Sequence, residues 1–183
     1  KNKEGIDGVC LGGLMWAKYN VDEPGTFSAT IKSPWKLYQF NRKTPYPTSG
    51  TCTWNITTID EDSNWTAAND PCPTPWRMPT SAEYSLLRQA TRQTDYQAGV
   101  GGCLCHSTIV EECSPTATHS LYFAHFNPRS NGDALPPGNE ARFWSSSQTS
   151  QTHATNYVLK NAVVLVSFNY AKTTAYGVRC VHD

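Results

Sequence analysis

The chain reads as short apolar runs set between polar, turn-rich stretches, and a helical period stands out only once. Pro79-Thr80-Ser81-Ala82-Glu83 opens a segment that the pattern carries to about Thr94. Thr80 suits the N-cap, and Glu83 three residues on completes a capping box, in which each side chain takes a backbone N–H at the other's position. Spacing of three and four residues puts Tyr84, Leu86, Leu87 and Ala90 on the buried stripe of that helix. Elsewhere the pattern is that of strands. Residues 14–19, LMWAKY, form an early strand. Residues 156–160 and 163–168 form a hairpin with Asn161-Ala162 at the turn, and residues 176–181 form a closing strand. The run Val163-Val164-Leu165-Val166 is continuous rather than alternating, which predicts burial on both faces. Residues 41–50 and 130–138 are rich in Pro, Gly, Ser and Thr and read as loops. The pattern predicts an α+β class, loop-rich with short strands. No internal repeat and no linker divides residues 1–183, which therefore read as one domain.

Composition narrows the function. Charged residues are only 16% of the 183, against about 25% in an average soluble domain. Lys+Arg and Asp+Glu both number 15, so there is no basic surplus for nucleic acid or an anionic membrane. No apolar run approaches the roughly 18 residues of a membrane helix, so membrane insertion is not expected. The opening residues, KNKEGIDGVC, lack the apolar stretch of a signal peptide. A leader or upstream domain has therefore been removed, or there never was one. The 6 Trp, 9 Tyr and 6 Phe supply bulk for a solid core.

Seven cysteines, at 10, 52, 72, 103, 105, 113 and 180, point to an oxidising compartment, and the odd count leaves at least one outside any internal bridge. Cys103, Cys105, His106 and Cys113 form a rival zinc set, but C-x-C-H-x6-C is not the usual C-x2-C knuckle. Asn55-Ile-Thr and Asn64-Trp-Thr are sequons that a eukaryotic secretory pathway would glycosylate.

Three blocks, in order, carry a resemblance. They are Gly13-Leu14-Met15-Trp16-Ala17-Lys18-Tyr19-Asn20; then Asn69-Asp70-Pro71-Cys72-Pro73-Thr74-Pro75-Trp76-Arg77-Met78-Pro79-Thr80 before the helix; then Phe143-Trp144-Ser145-Ser146-Ser147, closing with Tyr176-Gly177-Val178-Arg179-Cys180-Val181. This order resembles the Fibrobacter succinogenes major paralogous domain, common in Bacteroidetes. The resemblance implies a C-type-lectin-like fold of the formylglycine-generating-enzyme type over nearly the whole chain. Pro75 stands where that family commonly has Gly, and the Cys-rich insertion at residues 99–119 matches nothing in it. By analogy with lectin-like domains, Cys72 and Cys180 pair. In the blocks themselves, Trp76 and Trp144 suit half-buried anchor positions. Arg77 and Arg179 suit pairing with carboxylates or loop carbonyls.

In lectin-like domains recognition lies in the final third. Here QTSQTHAT (148–155) and NYAKTTAY (169–176) flank strands that bring them together, and Tyr, Asn, Ser and Thr are the residues paratopes use. The candidate ligand-binding residues are Gln148, Ser150, Gln151, His153, Thr155, Tyr157, Asn169, Tyr170, Lys172, Thr173 and Tyr176. Tyr157, Tyr170 and Tyr176 are the expected anchors, whose loss should weaken binding without harming the fold. The resemblance implies an extracellular ligand-binding domain on a bacterial surface or a phage virion, with a protein or cell-surface receptor as partner and a glycan as the weaker option. Related folds serve as variable proteins of diversity-generating retroelements. There, adenine mutagenesis turns Asn codons into codons for Tyr, Ser, Thr, Asp or His, and the mixture from Gln148 to Tyr176 is compatible with that. The alternative is a structural or adhesive tip of a pilus, surface protein or phage tail fibre.

An enzyme is not expected. The fold's namesake oxidises cysteine with a paired reactive cysteine near its C-terminus, and Cys180 stands alone in its segment. Nothing in the spacing of His106, His119, His125, His153 and His182 forces a catalytic order. No cofactor is expected beyond a structural calcium at Asp60-Glu61-Asp62-Ser63-Asn64, whose clustered oxygens suit a hard cation. The late segments lack the Glu-Pro-Asn type of triplet that calcium-dependent sugar binding uses.

Overall fold

The computed structural model describes residues 7–32, 35–57, 62–97, 100–106, 120–124, 126–135, 140–160 and 163–183, with backbone alone at 94–97, 106 and 163–168. In chain order the elements are β1 (Gly8–Leu11), β2 (Leu14–Asn20), β3 (Lys36–Gln39), β4 (Tyr46–Pro47), helix α1 (Ser81–Ala90), β5 (Thr91–Gln97), β6 (Gly101–His106), β7 (Ser120–Ala124), β8 (Arg129–Ser130), β9 (Asp133–Ala134), β10 (Glu140–Gln148), β11 (His153–Lys160), β12 (Val163–Ala171), β13 (Ala175–Tyr176) and β14 (Arg179–His182). The class is mixed α+β: among the described residues, one α-helix stands with small sheets ordered β1-β2-β14, β10-β11-β12, β4-β3-β13-β8-β9 and β5-β6-β7. No helix among the described residues is long and apolar enough to cross a membrane.

Helix α1 forms where its caps are. Thr80 Oγ1 accepts from the Glu83 N–H at 3.2 Å, and Glu83 Oε2 accepts from the Thr80 N–H at 2.7 Å. The helix is shorter than its periodicity predicts and stops at Ala90. Thr91 turns its hydroxyl back onto the Leu87 carbonyl, and from Thr91 onward the chain enters β5, paired with β6. A β-branched residue at that point, followed by a full strand ladder, outweighs one more helical turn. Tyr84 and Leu87 are fully buried, each contributing about 2 kcal/mol on burial. Leu86, expected on the same stripe, is 48% exposed, because the helix is covered along a narrower face.

The chain ends close on each other. β14 pairs antiparallel with β2, setting Val181 opposite Trp16. Arg77 and Val181 exchange both backbone hydrogen bonds at 2.9 Å, and a disulfide joins Cys72 to Cys180. The entrance to the helix is thus clamped to the last strand, as the lectin analogy implied. Arg77 ion-pairs with Glu83 and Asp183. Arg179 binds carbonyls instead. Its guanidinium donates to Ala17 O, Lys18 O, Tyr122 O and Asn20 Oδ1 at 2.8–3.0 Å and lies over the Phe123 ring. Burial pulls this guanidinium down to about 9, which leaves it charged at neutral pH.

The closing strand read from the sequence is two strands. Tyr176 belongs to β13 and Arg179 to β14. Between them Gly177 crosses from one sheet to the next, pressed so tightly on Phe143 that a Cβ would stand 2.9 Å from its ring. The two predicted loops also hold short strands, β4 in the first and part of the β8–β9 pair in the second. The late hairpin forms as β11 and β12, and its turn residues 161–162 lie outside the described residues. So do the side chains of residues 163–166, where burial on both faces was expected.

The Cys-rich segment 99–119 is in part integral to the fold. Within it β6 is the middle strand of its sheet, and Cys103, Leu104 and Cys105 join the core. Residues 107–119 lie outside the described residues. That core is one cluster reaching from Val9 to Val181 and built on aromatics. The WSSS block is its junction. Trp144 Nε1 donates to Tyr38 O, Ser145 Oγ to Thr155 O, and Ser146 N to Pro79 O. Ser147 Oγ accepts from the first N–H of the helix.

Candidate functional site

The late polar segments meet at one end of the β10-β11-β12 sheet. β10 bulges between Trp144 and Gln148, then turns into β11 through residues 149–152. That turn is held by its own short bonds: Thr149 and Ser150 N–H both donate to His153 O, and Ser150 Oγ accepts from the His153 N–H. β12 leaves the sheet opposite, with Ala171 facing His153. Asn169 adopts a φ of 79°, a left-handed conformation that Asn tolerates better than most residues.

Lys172 ties the two segments together. Its N–H donates to Thr152 O at 2.9 Å, its carbonyl accepts from Phe40 N, and its Nζ donates to Gln148 Oε1 at 2.9 Å while facing the Phe40 ring. Gln39 Nε2 then bridges Thr173 O and Asn55 O.

Seven of the eleven expected contact residues keep a solvent-facing position. Ser150, Gln151 and Asn169 are exposed, and Gln148, His153, Tyr170 and Thr173 are half-buried. The remaining four are corrections. Thr155, Tyr157, Lys172 and Tyr176 are at most 4% exposed and present no contact surface. β11 is the central strand of its sheet and α1 packs against that sheet, so Tyr157 stacks on Tyr84 with ring centroids 4.5 Å apart. Tyr176 packs edge-on against Trp144 at 4.7 Å, and Lys172 is a buried strut. Of the three tyrosine anchors only Tyr170 is accessible. It lies under the Arg142 guanidinium at 4.4 Å and edge-on to Tyr176.

Two neighbours of the face were missed as such. Asp62 Oδ1 accepts from Gln148 Nε2 at 2.9 Å, and Asn64 Oδ1 accepts from the Gln148 N–H at 3.0 Å. The sequence flagged these residues as a calcium cluster and a sequon, and only the fold shows what they touch. Asp60 and Glu61 lie outside the described residues, among which no three metal-ligating side chains gather. The zinc set loses a ligand, because Cys105 is disulfide-bonded.

Away from this face, a cleft of about 260 Å³ lies between Gly50, Thr51, Cys52 and Trp54 on one side and residues 131–134 on the other. Arg129, fully buried, builds it by donating to the carbonyls of Pro47, Gly50 and Gly132, with Cys52 Sγ 3.3 Å from Nη1.

No family model, no characterised protein and no solved structure matches this chain, so the residues themselves carry the functional argument.

Proposed function

We propose that this chain is a C-type-lectin-like recognition domain, of the formylglycine-generating-enzyme type, displayed outside a bacterium or on a phage virion. It binds a protein partner, in preference to a glycan, through the polar end of the β10-β11-β12 sheet. The observation that supports this most is the contrast between scaffold and face. A core of interlocked aromatics, closed by the disulfide from Cys72 to Cys180, carries side chains at Gln151 and Thr173 outside the core cluster, beside Ser150 and Asn169, which shape the turns that present them. Positions like Gln151 and Thr173 accept many residues at little cost in stability, which is what a diversified binding surface requires. A disulfide also fits an extracellular setting.

The test has two arms. Binding of the wild type to bacterial surface proteins and to a glycan array is compared with that of Tyr170→Ala and of a Gln151→Ala/Thr173→Ala double variant. A true anchor at Tyr170 costs about 2 kcal/mol or more, roughly 30-fold in affinity, in a variant that still unfolds cooperatively although it loses the contacts with Arg142 and Tyr176. Full binding by both variants overturns the assignment of the face. Sequencing genomic copies is the second arm: differences confined to codons 148–176, beside a template repeat and a reverse transcriptase, support retroelement diversification, and differences spread evenly refute it. The stand-alone recognition head also predicts a monomer in solution, whereas the alternative, a fibre tip, predicts a stable trimer.

A further inference from the structure

We infer that the recognition face has a third edge, residues 62–64, and that Lys172, acting through Gln148, is the positioning residue that holds all three edges in register for a hydrogen-bonding protein epitope. The inference rests on the reading of the late segments as a binding surface and extends it. Gln148 is the hub. Its carbonyl oxygen takes the Lys172 ammonium, its amide nitrogen gives to Asp62, and its backbone N–H gives to Asn64. Lys172 is 1% exposed and is fixed at both its main-chain groups, by Thr152 and by Phe40. One buried residue therefore links the 149–152 and 172–174 turns through its main chain and reaches the 62–64 segment through its side chain and Gln148. Asp62 and Asn64 are exposed and Ser63 is half-buried, so the third edge is open to a partner.

This arrangement has the economy of a preorganised paratope. Fixing loops before binding lowers the entropy lost on association. It also explains how a lysine can sit in a buried position beside this face: its charge is directed inward, to Gln148 and to the Phe40 ring. The accessible groups are a carboxylate, amides and hydroxyls. They fit a protein patch that offers donors, with a basic side chain opposite Asp62.

Hydrogen exchange tests the coupling without any ligand. In Lys172→Met the stem is kept and the ammonium lost. The amide of Gln148 and the peptides covering 62–66 and 149–153 should exchange about tenfold faster together, while α1 and the β1-β2 hairpin keep their protection. Lys172→Arg keeps a donor and should restore most of the protection. Gln148→Ala, at a half-buried position, should loosen residues 62–66 even if Lys172→Met fails to fold. The inference is overturned by exchange that changes only at 172–174, or by acceleration spread evenly over the molecule, or by an unaffected 62–66 in Gln148→Ala. Because the readout is exchange, that outcome leaves the two late segments standing as a binding face. Conversely, a face that binds nothing leaves the coupling intact.

Discussion

Replacing Arg179 by Met removes the charged group on which two sheets converge. The guanidinium donates to Ala17 O, Lys18 O and Asn20 Oδ1 along β2 and to Tyr122 O on β7, and it is 1% exposed. No carboxylate pairs with it among the described residues; the aromatic faces of Phe123 and Phe143, at 4.6 and 5.7 Å, take that place. Two effects oppose each other in Arg179→Met. The variant no longer buries a charge, which is a gain. It also leaves several buried acceptors without their donor, at about 1–3 kcal/mol each where no other group reaches them. Breaking a buried charged network by removing one partner costs about 3–5 kcal/mol, and a loss in that range is expected here. Against a total stability of about 5–15 kcal/mol, the fold is then marginal. Urea unfolding followed by Trp fluorescence measures it, as a lower midpoint at unchanged slope. Arg179→Lys should recover little, since one ammonium cannot face four acceptors spread over two elements. A midpoint shift worth less than about 1 kcal/mol in Arg179→Met would refute the reasoning, because desolvation would then balance the bonds and the guanidinium would tie nothing together.

Three further outcomes are expected. Cys72→Ser/Cys180→Ser opens a covalent loop with a sequence separation of 108, for which chain entropy gives about 4–5 kcal/mol; the variant should unfold in markedly less urea, and an unchanged midpoint would show that the strand pairing alone closes the ends. The buried tyrosines should lower stability above pH 10. Burial holds the Tyr176 hydroxyl up to about 12 and raises Tyr84 and Tyr157 as well; the unfolded chain releases tyrosine protons that the folded one keeps, so their contribution is full below pH 10 and drains away towards pH 12, while Arg179, pulled down to about 9 by burial, works in the opposite sense. Tyr176→Phe should flatten that slope by about 2–3 kcal/mol between those values, and an identical slope would exclude Tyr176 as a contributor. Finally, Tyr157→Phe should be neutral or stabilising by about 1 kcal/mol, because the buried Tyr157 hydroxyl has no hydrogen-bond partner among the described residues; a loss of 2 kcal/mol or more in thermal unfolding would reveal a partner such as a buried water.

The sequence by itself determined what depends on neighbours along the chain. The Thr80 and Glu83 side chains cap the helix start because a capping box needs only four consecutive residues. The early strand and the late hairpin follow from runs of strand-forming residues and from a turn between them. The block around Trp144 announces a junction, since three serines beside a buried Trp need partners, and they find them in Thr155, Pro79 and Ser81. Tertiary structure decided everything that depends on which surface is covered. Tyr157 and Tyr170 belong to the same polar–aromatic text, yet one stacks on the helix and the other stays accessible. Leu86 has the right spacing for the core and stays outside it. Lys172 reads as a surface residue and is a buried strut, while Asp62 and Asn64 reach Gln148 across more than eighty residues of chain. Periodicity reports which way a side chain points relative to its own element. Whether another element arrives to cover it is a property of the whole packing, and that is why the scaffold was legible in the sequence and the exact edge of the face was not.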